Sequence, residues 1–107
     1  MNTQYKKGVL ELCVLARLNQ ADGYGYDVSE YLSQRIDISD GTVYPILRKL
    51  KIEGLVTTYL SEDSGGPPRK YYALTELGRQ EYAKARGEWL GFVNAVQVLL
   101  EEGTDNE

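Results

Sequence analysis

Between Thr42 and Lys51 the chain places Tyr44, Arg48 and Lys51 within about 60° of one another on a helical wheel, with Thr42 and Lys49 close by. Such a face can hold anions. Arg48 and Lys51 are long enough to reach phosphates or guanine acceptors, Thr42 to touch bases or a thymine methyl, and Tyr44 to donate to a phosphate. The same cations would also serve simply to solvate an exposed helix face. A second set, Arg69 and Lys70, follows Gly65-Gly66-Pro67-Pro68, where the glycines let a tip bend and the prolines stiffen the returning strand. Strand alternation sends Arg69 and Lys70 to opposite faces, and a narrow minor groove favours an arginine. A third set, Lys6 and Lys7 beside Tyr5, can add phosphate contacts near the N-terminus.

Other chemistry is poorly provided for. The 107 residues contain no histidine, which removes the commonest general base and all histidine-based metal sites. Cys13 lies in an apolar run and reads as a buried, inert thiol without an intrachain partner. The pair Glu62 and Asp63 falls on the expected hairpin tip with no partner acid or base, so no catalytic residue, metal or cofactor is expected. No apolar stretch reaches the ~18 residues of a membrane span and no signal-peptide pattern opens the chain, so a cytoplasmic protein is expected.

Charge distribution qualifies the net value of −4. Residues 1–75 carry nine Lys/Arg and nine Asp/Glu, whereas residues 76–107 carry three against seven, so the whole excess lies in the last third. Acidic groups there keep the tail away from a polyanion.

The elements that must position these groups are readable from periodicity. Apolar residues at helical spacing predict a first helix over 4–18, stopped by Asn19-Gln20-Ala21-Asp22-Gly23, and a second over about 24–34. Ser39 is a good N-cap for a third helix, which buries Val43, Ile46, Leu47 and Leu50, tolerates Pro45 early, and ends at Gly54. Leu55 to Leu60 and Lys70 to Leu74 predict a hairpin with a long tip. Thr75 caps a last helix from about 76 to 102, followed by a frayed tail. This order is that of a winged helix-turn-helix, mostly α (α+β), with an N-terminal helix and a long C-terminal dimerisation helix. Its expected division is 1–75 for the nucleic-acid-binding unit and 76–107 for the helix and acidic tail.

Dimerisation follows from the last helix. Tyr82, Ala85, Trp89, Phe92, Val96 and Leu99 repeat at 3-4-3-4-3 spacing, a seam widened by Leu90, Val93 and Leu100. At ~1.5 Å per residue the helix is about 40 Å long, too long for one small domain to cover. A second copy should pack on it, partly through the first helix at Val9, Leu12, Cys13 and Ala16. Two-fold symmetry would then favour an inverted-repeat site on double-stranded DNA, with reading helices about 34–36 Å apart.

Three stretches resemble the PadR family of bacterial transcriptional regulators: Gly23-Tyr24-Gly25-Tyr26-Asp27, Gly41-Thr42-Val43-Tyr44-Pro45-Ile46-Leu47-Arg48-Lys49-Leu50 with Gly54-Leu55-Val56, and Gly66-Pro67-Pro68-Arg69-Lys70-Tyr71-Tyr72-Ala73-Leu74-Thr75 with Gly78. The likeness spans nearly the whole chain and implies a dimeric repressor of the short form, in which one C-terminal helix mediates dimerisation. It further implies a site for a small planar hydrophobic effector at the dimer interface, lined by Trp89 with Phe92 and Val93 as neighbours; packing alone is the other role open to Trp89. The family's basic character is weaker here, since Asp37, Asp40 and Glu53 lie close to the reading helix. Net charge −4 also suits a different protein, a winged-helix module that binds other proteins and has given up DNA.

Overall fold

The computed structural model describes residues 3–62 and 65–105, with side chains over 8–62 and 65–103. The elements are helix α1 (Thr3–Gln20), strand β1 (Gly23–Tyr24), helix α2 (Gly25–Ser33), helix α3 (Asp40–Ile52), strands β2 (Val56–Ser61) and β3 (Arg69–Leu74), and helix α4 (Glu76–Asp105). This is the winged helix-turn-helix that the patterning predicts, with a small antiparallel sheet of order β1-β3-β2. Among the described residues no helix is long and apolar enough to cross a membrane.

Apolar spacing explains the core. Val14 of α1, Val28 of α2, and Val43, Leu47 and Leu50 of α3 are wholly buried where the three helices meet, and Val56, Tyr72 and Leu74 close the core from the sheet. Each such side chain contributes about 1.5–3 kcal/mol of burial. A part-buried polar contact ties α2 to α3: the hydroxyl of the buried Ser29 donates to the Asp40 carboxylate at the start of α3. Asp40 is therefore already engaged within the fold, not simply poised beside the reading helix.

Turn chemistry sets the ends of α3. Ser39 occupies the N-cap with extended backbone angles, but its side chain makes no capping bond and instead faces the Thr42 hydroxyl at 3.3 Å. At the other end Gly54 adopts φ +79°, its amide donates to the Lys51 carbonyl at 3.1 Å, and the Leu55 amide donates to the Leu50 carbonyl at 2.9 Å. That pair of bonds needs a residue in the left-handed region, hence the glycine. Thr75 caps α4 as expected, accepting from the Gly78 amide at 3.0 Å, and its hydroxyl also donates to the Gly54 carbonyl at 2.7 Å.

Two expectations need correction. Tyr24 is the N-cap of α2, outside its helical body, and also lies in β1, paired with Tyr71 of β3. A two-residue strand has no periodicity to detect and exists because β3 offers an edge. The final helix also runs on to Asp105, so Gly103-Thr104-Asp105 is helical, not a frayed tail.

Candidate nucleic-acid interface

Helix α3, the one expected to read a DNA groove, presents its cations unequally. Arg48 is exposed. Lys51 leans toward the wing and donates to the Thr58 hydroxyl at 2.9 Å, joining helix and strand by a contact that DNA can displace. Thr42 is half-buried beside Ser39. Tyr44 does not share the open face with Arg48: it is half-buried, its ring filling the space that a side chain at Gly25 would occupy, with its Cε1 only 2.4 Å from an ideal Cβ there. Burial, then the Asp40 carboxylate, pushes the Tyr44 hydroxyl above its ordinary pKa and keeps it a neutral donor.

Lys49 is the clearest departure from expectation. It turns away from Arg48 and pairs with Glu11 of α1 at 2.5 Å. One residue along a helix is about 100° of rotation, so adjacent cations cannot share a face. The hydrogen bond that the Lys49 ammonium donates to the Glu11 carboxylate raises the Lys49 pKa above the ordinary 10.5. Because the folded value is the higher one, the pair stabilises fully below pH 10.5 and its contribution is lost as the pH climbs through that raised value. Lys49→Ala is expected to cost at most about 1 kcal/mol, as half-exposed ion pairs do, and to leave duplex affinity and its salt slope unchanged. A denaturation curve beside a DNA titration checks both.

The wing carries the other cations. Arg69 pairs in register with Ser61, and Lys70 with Leu60. Tyr72 and Leu74 face the core, so Lys70 shares the inner side, with its ammonium 5.8 Å from the Tyr72 ring centre. Arg69 takes the outer side, its guanidinium 4.7 Å from the Tyr24 ring centre. Gly65, at φ +73°, provides the bend ahead of the prolines. The Lys6 and Lys7 side chains, like Asp63, lie outside the described residues.

A second face lies between α1 and α4. An open groove of about 350 Å³ is lined by Val9 and Leu12 of α1 and by Ala85, Glu88, Trp89 and Phe92 of α4. The α4 residues form one stripe. Val93, 100° further round than Phe92 on a helix of 3.6 residues per turn, does not line it. Cys13 and Tyr82, expected at a dimer interface, are half-buried against the core of their own chain. Burial raises the pKa of the Cys13 thiol, in keeping with an inert role.

Sequence reading missed one feature of this surface. Tyr24, Tyr71 and Tyr59 sit opposite one another across the three strands, with ring centres 5.7 and 5.6 Å apart. Alternation alone already places Tyr59 and Tyr71 on outer faces, but the row was hidden without β1.

Residues 14–84 match the model of the transcriptional regulator PadR-like family, two-thirds of the chain. The chain belongs to the PadR-like family. The fold is similar to a PadR-like transcriptional regulator from Bacillus cereus, 35% identical with TM-score 0.84, covering 92% of this chain and 97% of that one. It is also similar to Bacillus subtilis PadR in complex with operator DNA, 31% identical with TM-score 0.62, over 77% of this chain and 46% of that one. In sequence, the negative transcriptional regulator PadR of Bacillus subtilis is 30% identical over 77 residues, 68% of this chain and 42% of that protein's length. An uncharacterised protein of Lysinibacillus sphaericus is 27% identical over 99 residues, 89% of this chain and 91% of the relative. PadR-like proteins are transcriptional regulators, not enzymes, and this winged helix has their DNA-binding fold.

Proposed function

We propose that the chain is a homodimeric, sequence-specific repressor that reads an inverted-repeat operator and is released by a small planar hydrophobic compound. The observation that carries the reading is the exposed Arg48 on a PadR-like reading helix, flanked by a wing that holds Arg69 outward. Thr42, Lys51 and Lys70 complete the contact surface, Tyr44 supports it from beneath, and the likeness to a PadR caught on operator DNA favours the same use here.

Dimerisation is supported by apolar surface that one chain does not cover. Lining residues place Gly8 near Phe92 and Leu18 near Arg79, so α1 and α4 run antiparallel. Beyond Phe92, α4 continues for 13 residues, about 20 Å, while α1 has only five left to lie against it. Leu99 on the seam is 66% exposed and Leu100 63%. A second copy laid on that stretch buries them. The Trp89 groove then lies at the junction, where an aromatic wall suits a flat ligand that stacks as well as buries area.

The test is a fluorescence-anisotropy titration of the wild-type protein with a duplex carrying its own gene's promoter, at several salt concentrations, beside sedimentation. A dimer contacting about six phosphates gives a log–log salt slope near −5. A chain that sediments as a monomer at micromolar concentration, or fails to bind that duplex, overturns the reading.

A further inference from the structure

We propose that the outer face of the wing sheet is a phosphate track built mainly of neutral donors, in which the hydroxyls of Tyr24, Tyr26 and Tyr71, with Arg69 above them, hold the backbone of duplex DNA beside the reading helix. The inference rests on the DNA-binding reading above. Tyr24 and Tyr71 face each other in register across β1 and β3, and Tyr26, at the first turn of α2, extends the row with its ring centre 6.1 Å from that of Tyr24. These rings do not build the core: Tyr26 is 55% exposed and the others are half-buried at the surface. Stacking alone would be served by phenylalanine, which the chain uses once against nine tyrosines.

Polarity along the row gives it a direction. At one end the Tyr59 hydroxyl donates to the Asp22 carboxylate at 2.7 Å, and that anion repels phosphate. Nearer the middle the Arg69 guanidinium lies over Tyr24 and attracts it. The far end meets the reading helix, because Gly25, between Tyr24 and Tyr26, is the residue against which Tyr44 of α3 packs. A strand of DNA held by Arg48 and Arg69 therefore passes along phenol hydroxyls. Tyrosine hydroxyls are ordinary donors to phosphate oxygens. In a chain whose first 75 residues carry no net charge, neutral donors add contact energy that the few cations cannot.

Neutral contacts leave a distinct signature. The salt slope counts the cations that displace counterions, so losing a hydroxyl lowers affinity without altering it. The triple variant Y24F/Y26F/Y71F is titrated against the promoter duplex and an unrelated duplex at three salt concentrations, with a thermal melt of each protein. Binding about tenfold or more weaker on both duplexes is expected, at an unchanged slope and melting temperature. Should the triple variant melt lower, the exposed Tyr26→Phe alone is expected to weaken binding about threefold. Wild-type affinity in the folded variants, or a fallen slope, overturns the track while leaving the DNA-binding reading intact. Absence of wild-type binding to either duplex instead overturns that reading, and the track with it.

Discussion

Gly78→Ala is expected to destabilise the fold by about 3 kcal/mol, lowering the melting midpoint by roughly 10–20 °C. A Cβ at residue 78 would lie 2.0 Å from the Leu55 carbonyl oxygen and 3.0 Å from its carbon, with the Leu74 Cδ2 at 3.1 Å. The obstacle is backbone, and it is held from both sides. Leu55 accepts from the Thr75 amide at 3.0 Å, and its own amide is tied to the Leu50 carbonyl at 2.9 Å. Relief therefore requires the first turn of α4 to move away from the end of α3, breaking the Thr75 contacts to Gly54 and Gly78. Because α4 also carries the proposed dimer seam, the variant should shift the spacing of the two reading heads. Gly87→Ala is the control, since nothing lies within 4 Å of its added Cβ. There the exchange should stabilise by about 0.5–1 kcal/mol, as alanine does in an open helix interior. Calorimetry at one fixed protein concentration measures both, and a Gly78→Ala midpoint within about 3 °C of wild type would mean that α4 yields freely.

Arg48→Ala should weaken binding to the operator by about 1–3 kcal/mol per half-site, which is roughly 5- to 150-fold. Of the cations on α3, Arg48 and Lys51 are exposed, Lys51 with a surface bond to Thr58, while Lys49 is held by Glu11. Loss of Arg48 has no internal compensation, and removing it breaks no contact within the core. The salt dependence separates two roles. A phosphate contact takes about one from the slope for each arginine removed and weakens all sequences alike, whereas a guanine contact relaxes preference at one base pair. Competition titrations with single-base operator variants distinguish them. Arg48→Ala binding indistinguishable from wild type would end the assignment of α3 as the reader.

Some of the signals that shape this chain are local. The apolar stripe Val43, Ile46, Leu47 and Leu50 is buried along its whole length, as a helical wheel predicts, because a face repeating every 3.6 residues has only one way to leave water. Gly54 and Thr75 act where they stand, since a left-handed turn and an N-cap are each decided by a few neighbouring backbone groups. Strand β1 escaped detection for the opposite reason: two residues carry no pattern, and their conformation comes from pairing with Tyr71 and Tyr72, far along the chain. The pairing of Lys49 with Glu11 leaves no local signal, because the two residues are 38 apart on different helices. Val93 lies outside the groove of one chain, about 100° round α4 from Phe92, a difference that only the placement of α1 reveals.

What the amino-acid order determined alone was the set of helices, their apolar faces, the glycine stop of α3 and the threonine cap of α4, and the outward arginine of α3. All of these depend on interactions within a turn or two of chain. Only the folded molecule decided which cations remain available and how four tyrosines from three separate segments form one row. Those depend on register and packing between distant segments, for which no local periodicity exists.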